Sequence, residues 1–300
     1  MRKHLLCSVC LLLLIFAPPI HAQFNERSPQ IEKVTNGEID WANEYFYASG
    51  EGIIPPSSEE PNPAKAQLKA KNYAKMAAIA NLYITIENTT ITSKGAGKDY
   101  MAMDSQIRQS IEGHVSNVEI VSEKRITQGP DTVIEVTVRA PMYGYNGLAI
   151  PFLASRTVAM PLGGVLVNQS SLKSSISSPP RNPSDAGKYT SVIIDCSGLR
   201  MKRAVNPRIR RIDGNEVWGK VNIDSFSSLD KGAVAYSTSL FDAKDNERAG
   251  NNPLIIKAIG KAGNSKTQCD PVISNEDASA ILSNNASSKY LDKFDVVFVM

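Results

Sequence analysis

The chain has 300 residues, a formal net charge of +3, 42% hydrophobic and 21% charged residues. That is ordinary globular composition; it excludes a disordered, collagen-like or disulfide-dense chain, and near-neutrality excludes a bulk nucleic-acid binder. The length favours two domains over one.

Met1-Arg2-Lys3-His4 is a short basic start, Leu5 to Phe16 is a nearly unbroken apolar run, and Ile20-His21-Ala22 ends the segment with a small residue. This is the order of a secretory signal peptide cleaved after Ala22, and the run of 12 residues is too short to span a bilayer. The expected compartment is the periplasm, with a peripheral position at the outer membrane left open, and no transmembrane segment is expected in the mature chain. Removing Arg2 and Lys3 lowers the count from +3 to about +1. Cys7 and Cys10 lie at the start of the apolar run, not after it, so neither fits lipidation.

Residues 23–62 form a turn-rich N-terminal extension, in which Tyr45 to Ser49 reads as a short strand ending in a Gly50-Glu51-Gly52 turn. Pro63 opens a strong helix. Its expected buried stripe is Ala66, Ala70, Tyr73, Ala77, Ala80 and Ile84. Thr89 to Ser93 reads as a strand. Gly95-Ala96-Gly97-Lys98 is read as a connector, with an anion-binding helix start as the alternative. A second helix is carried by Tyr100, Met103, Ile107 and Ile111, with Gly113 as its cap. Val118 to Glu123 and Thr132 to Val138 then alternate as a hairpin. The expected unit over 63–145 is an α+β layer.

Residues 146–167 continue an apolar stretch, beginning at Pro141, that Gly and Pro interrupt repeatedly. An irregular segment packed over the first domain is favoured over a surface for a partner or for self-association. Residues 168–188 hold seven serines and three prolines and read as an extended linker. The second domain, 189–300, opens on Ser191 to Cys196, apolar on both faces and therefore a central strand. Further strands are expected around Arg208–Ile212, Val217–Trp218, Ala233–Tyr236 and Leu254–Ile259. Ser274 with Asp277 matches a capping box for a short helix, and Phe294 to Met300 is a buried terminal strand. The fold class is thus α+β, two small α/β-layer domains joined by a Ser/Pro-rich linker.

His114 is the one histidine left after the leader, which argues against a metal centre, and no nucleotide or hydrolase motif occurs. No catalytic, cofactor-binding or metal residue is assigned. Two cysteines, Cys196 and Cys269, remain; an even count in an exported chain favours a disulfide over two buried thiols. Closing those 73 residues would contribute about 4 kcal/mol. The densest charge is Arg200, Lys202, Arg203, Arg208, Arg210 and Arg211, with Arg208 and Arg210 on one strand face and Ile209 opposite. It reads either as a contact for an anionic glycan, lipid head group or acidic partner, or as a charge-guarded edge strand.

The run from Ala48 to Pro55, the alanine-rich helix from Ala64 to Ile84, Ile107 to Val121 and Glu135 to Gly144 resemble the bacterial twenty-kilodalton-lipoprotein-like family. They are also similar to the N-terminal domain of flagellar assembly proteins of type T. The resemblance spans about residues 40–145. It implies a small α+β module on the periplasmic face of a Gram-negative envelope, with no catalytic residues to carry over. The family's lipidated cysteine has no counterpart here. Residues 189–300 resemble the C-terminal half of uncharacterised exported proteins through Ile193 to Leu199, Asn206 to Ile209, Gly214 to Gly219 and Val272 to Ala278. The expected role is structural or adaptor, with protein partners in the envelope or self-association; the alternative is an anionic-ligand module through residues 200–211.

Overall fold

A computed structural model describes residues 30–154, 164–167, 189–219 and 231–300. The leader expected over 1–22 and the linker expected over 168–188 lie outside the described residues. The fold is α+β.

The first half opens with β1 (Ile31–Val34), β2 (Gly37–Asp40) and β3 (Tyr45–Ile53). There follow α1 (Pro63–Asn88), β4 (Thr90–Thr92), β5 (Gly95–Ala96), α2 (Gly97–Met103) and α3 (Ser105–Val115). β6 (Glu119–Gln128), β7 (Asp131–Pro141) and α4 (Ile150–Ala154) complete it. The long strands form a five-stranded antiparallel sheet in the order β1-β2-β3-β7-β6.

α1 lies on this sheet with almost nothing between the two backbones. Asn62 caps it, its Oδ1 accepting from the amides of Ala64 at 3.0 Å and Lys65 at 3.2 Å, and Pro63 follows at the first helical position. The buried row is Ala66, Ala70, Ala74, Ala78 and Leu82, a strict four-residue ridge. The expected stripe kept Ala66 and Ala70 but then left this ridge: Tyr73 is 65% exposed. The reason is on the facing strand. A Cβ at Gly50 would lie 2.2 Å from the Ala78 amide nitrogen, and one at Gly52 would lie 2.0 Å from the Ala70 carbonyl oxygen. Only alanine facing glycine allows that approach, so Gly50 and Gly52 are strand residues seated under a helix, not the turn their spacing suggested.

The single helix expected around residues 100–113 is two. Asp104 is extended, at φ −136°, and its Oδ1 caps α3 by accepting from the Gln106 amide at 2.9 Å. α3 runs through Gly113 to Val115, so that glycine is helix interior. The hairpin β6–β7 forms as its alternation predicts, turning at Gly129 with φ +62°.

The apolar stretch after β7 is buried, as favoured: Met142, Tyr143, Leu148, Ala149, Phe152 and Leu153 all join the core. It is not confined to the first half, however. Val165–Val167 forms β8, which pairs antiparallel with a strand of the second half.

That half holds β9 (Ser191–Asp195), β10 (Ile209–Arg211), β11 (Glu216–Trp218), β12 (Ala235–Ser237) and α5 (Leu240–Lys244). β13 (Pro253–Lys257), β14 (Gly260–Ala262), β15 (Asp270–Ile273), α6 (Asn275–Ser288) and β16 (Val296–Val299) follow. β12, β16, β9 and β13 make a parallel sheet in that order, so β9 and β16 are interior, matching their apolar character on both faces. A mixed sheet runs β11-β10-β15-β14-β8. Ser274 caps α6 as its spacing predicts, its Oγ accepting from the Asp277 amide at 3.0 Å.

One hydrophobic cluster passes from Ile39 and Phe46 through Met142 and Tyr143 to Val192, Ile194 and Phe298. The halves therefore share a core. Trp41 packs edge-on against Tyr236 with ring centres 5.4 Å apart. The Tyr143 hydroxyl donates to the Val205 carbonyl at 3.2 Å.

Candidate functional site

The basic segment is where the sequence concentrates charge, and the fold divides it. Arg210 lies on β10, which sits between β11 and β15 and is therefore not an edge strand. Ile209 and Arg210 are both buried there, so the expected split into an outer arginine face and an inner isoleucine face does not occur. The Arg210 Nε donates to Asp270 Oδ2 at 2.6 Å, and its Nη1 donates to the Gly214 carbonyl at 3.0 Å.

Asp270, at the start of β15, has no exposed surface. Its Oδ2 also accepts from Ser93 Oγ at 2.6 Å, and its Oδ1 accepts from the Arg208 amide at 2.9 Å. Burial pushes its carboxyl pKa up, while the Arg210 charge and the hydrogen bonds from Ser93 and Arg208 act the other way. Ser93 comes from the first half, so this buried pair joins the two halves. Around it, Thr267 Oγ1 donates to the Ser93 carbonyl at 2.9 Å and the Val205 amide to the Thr90 carbonyl at 3.1 Å.

Two further arginines are engaged within the chain. Arg208 pairs with Glu216. Arg203 lies over the Tyr236 ring, 5.7 Å from its centre, and donates to Gln30 Oε1 at 3.2 Å. Arg200 and Lys202 are exposed and Arg211 is half-buried. Of the six expected contacts, only these three are presented outward; Arg203, Arg208 and Arg210 are fold residues.

Arg200 adopts φ +49°, a left-handed conformation unusual for a side-chain-bearing residue, in the loop that leaves the carboxyl end of β9. Lys261 donates to its carbonyl at 3.2 Å. Beside it, Lys257 Nζ donates to Asp195 Oδ2 and to Ser197 Oγ, each at 2.8 Å. Burial raises the Asp195 pKa, but the hydrogen bonds from Lys257 and Ser197 outweigh it and hold the carboxyl below its ordinary value. A serine beside a lysine is a nucleophile-and-base arrangement in some hydrolases. Here the lysine's charge is matched by Asp195 and the group ties the loop to the strand ends. Carboxyl ends of parallel strands are nevertheless where α/β sheets hold ligands.

A cleft of about 340 Å³ opens at the opposite, amino ends of β9, β13 and β16, lined by Tyr189, Thr190, Glu247, Arg248, Ser288 and Lys293 among others. Its cations serve the fold. Arg248 Nη1 donates to the Gly232 carbonyl at 2.6 Å and Nη2 to Glu44 Oε1 at 2.9 Å; Lys293 Nζ reaches the Ser288 carbonyl at 3.4 Å.

Cys196 and Cys269 are free and buried, so the favoured disulfide is not formed. Cys196 follows β9 with its Sγ 3.6 Å from the Ile194 carbonyl, whereas Cys269 precedes β15, in the other sheet, with its Sγ 3.5 Å from Asp270 Oδ1. Each thiol is a small buried side chain in its own strand end, and burial pushes both thiol pKa values well up. His114 is in the last turn of α3, and among the described residues no group of three metal-ligating side chains converges. Gly97 opens α2, where a Cβ would lie 2.2 Å from the Ile86 carbonyl oxygen; its glycine serves packing on α1. Among the described residues no helix is long and apolar enough to cross a membrane.

Sequence reasoning missed Asp270, Ser93, Asp195 and Lys257. Asp270 carries the clearest signal in retrospect, a lone acid between Cys269 and Pro271-Val272-Ile273, in a strand whose other residues are all buried.

Residues 191–300 match a family model described as the second domain of Treponema pallidum Tp0624. No curated protein matches the chain. The matched span covers the parallel sheet, α6 and strands β10, β11, β14 and β15, and stops short of β8 and the first half.

Proposed function

We propose that the chain is exported to the periplasm and serves there, without chemistry of its own, as a structural or adaptor part of an envelope assembly. The observation that supports this most is the shared core closed by the Ser93–Asp270–Arg210 network. The network ties the two halves together and spends Arg210 on that contact. What the chain offers is its outer surface. The resemblance of residues 40–145 to lipoprotein-like envelope modules and to flagellar assembly proteins favours the same reading and makes a flagellum-associated assembly the first place to look; this rests on analogy of fold.

The test places a photo-crosslinking residue at Met76, 66% exposed on the outer face of α1, or at Ser279 on α6, in cells of the native organism. The reading expects one or a few envelope proteins cross-linked at reproducible ratios from at least one position. Small-molecule turnover by the purified chain, with no protein adduct at either position, would overturn it.

A second reading has one observation in its favour. Arg200 and Lys202 are exposed on the loop at the carboxyl end of β9, with Lys257 and Lys261 anchoring that loop. An anionic glycan or lipid head group bound there should be lost in Arg200→Ser/Lys202→Ser. Loss instead with Arg211→Ser alone would contradict this placement.

A further inference from the structure

The first-half sheet ends on two unlike edges. β1 is four residues long, whereas β6 is ten residues long, and α1 covers β3 and β7 rather than β6. Most of β6 is exposed on both faces, with Ile120 at 36% and Val121 at 40%. An edge of this length presents unpaired amides and carbonyls that another strand can use, unless its charges forbid it.

The charges of β6 do not forbid it. Glu119, Glu123, Lys124 and Arg125 sum to zero, and their order is self-complementary. Glu123 faces α1, where it meets Lys71 Nζ at 2.7 Å. Arg125, two residues on, shares that face, and among the described residues it has no carboxylate partner. An antiparallel pair related by a two-fold axis normal to the sheet keeps each side chain on its own face, so residues of like parity meet. Centred on Lys124, this places Glu123 of each copy opposite Arg125 of the other, twice, and Ser122 opposite Ile126. Lys124 meets its own copy on the axis, a like-charge contact that Glu135, 3.8 Å away in each copy, offsets. Pairing ends naturally at the irregularity between Ile120 and Ser122, where the ladder with β7 also shifts.

We propose that β6 is a homodimerisation edge: two copies join through residues 122–126 into one continuous antiparallel sheet. The occupant is a second copy of this chain because the Glu123–Arg125 spacing matches its own reverse.

Two experiments on the purified chain test this. In sedimentation velocity the chain forms a dimer; Arg125→Glu weakens it at least about tenfold, and Glu123→Arg/Arg125→Glu returns it to within about threefold of the wild type. A chain monomeric up to about 100 µM, a dimer indifferent to Arg125→Glu, or a double swap no tighter than Arg125→Glu would each overturn the proposal. The second is independent of those variants. Under mild oxidation Lys124→Cys, opposite itself on the axis, gives a disulfide-linked dimer, and Gln128→Cys, opposite Ile120, does not. The reverse pattern, or equal cross-linking at both, would overturn the register.

Discussion

Substituting alanine for Gly52 is the sharpest perturbation of the α1–β3 contact. In a strand interior, glycine to alanine ordinarily stabilises by about 0.5–1 kcal/mol through the unfolded chain. Here the new Cβ would sit 2.0 Å from the Ala70 carbonyl oxygen and 2.9 Å from the Ala74 nitrogen, where ordinary contact begins at 3.4 Å. Both obstacles are backbone, on a helix seated by a row of alanines that also contacts β7. Helix and strand must separate by more than about 1 Å, and overpacking of well-filled cores costs about 1–3 kcal/mol, occasionally more. Because both obstacles are backbone the upper end of that cost applies, and set against the entropic gain the net is a destabilisation of about 2–2.5 kcal/mol. That corresponds to a fall of about 4–10 °C in Tm for a domain of this size. Scanning calorimetry with urea titration as a check reads it directly. Gly113→Ala is the control of opposite sign: it lies inside α3 with nothing within 4 Å of the new Cβ, and should stabilise by about 0.5–1 kcal/mol. If Gly52→Ala is as stable as the parent chain, the close-approach account of this layer is wrong.

Breaking the Arg210–Asp270 pair by Arg210→Met leaves a buried carboxylate with one charge partner fewer and should cost about 3–5 kcal/mol in urea unfolding. Replacing both residues with apolar ones should cost clearly less. Cys196 and Cys269 should resist a thiol-specific reagent in the native protein at pH 8 and both react once it is unfolded; a native chain without titratable thiols after denaturation would restore the disulfide. The Asp195 carboxyl, held below its ordinary value of 3.8, contributes stability that is present above that value and lost as the pH falls through the lower native value. Asp195→Asn should therefore flatten the acid limb of a stability–pH curve below about pH 4 without changing its alkaline side. Deleting β16, the strand between β12 and β9, should abolish soluble expression.

Periodicity exposed much of this fold. β7, β9, β16 and the Ser274 cap are legible because local pattern and tertiary environment agree there. The failures have a common physical form. Gly50-Glu51-Gly52 reads as a turn because glycine's local preference is for turns, whereas here a helix backbone on the other side of the strand demands it. The same facing strand selects which of many alanines in α1 is buried, and no one-dimensional pattern ranks Ala77 against Ala78. β1, β14 and β15 are short strands whose sequences alternate weakly. The basic segment reads as a surface because six cations in twelve residues ordinarily are one; that Arg210 is buried depends on Asp270, sixty positions away. The division into two domains is legible in the length and the serine-rich stretch, and a second-domain family model matches residues 191–300; neither signal reports that Trp41, Tyr143 and Ser93 each find a partner beyond residue 188.

On the proposed function, the two halves are one cooperative body whose outer surface does the work. Scanning calorimetry of the purified chain, with its Ser93→Ala and Arg210→Met variants, tests it most directly. A single transition with calorimetric and van't Hoff enthalpies in agreement, moved as a whole to lower temperature by either variant, is the expected result. Two separable transitions, with Arg210→Met lowering only one of them, would show two independent domains and contradict the account.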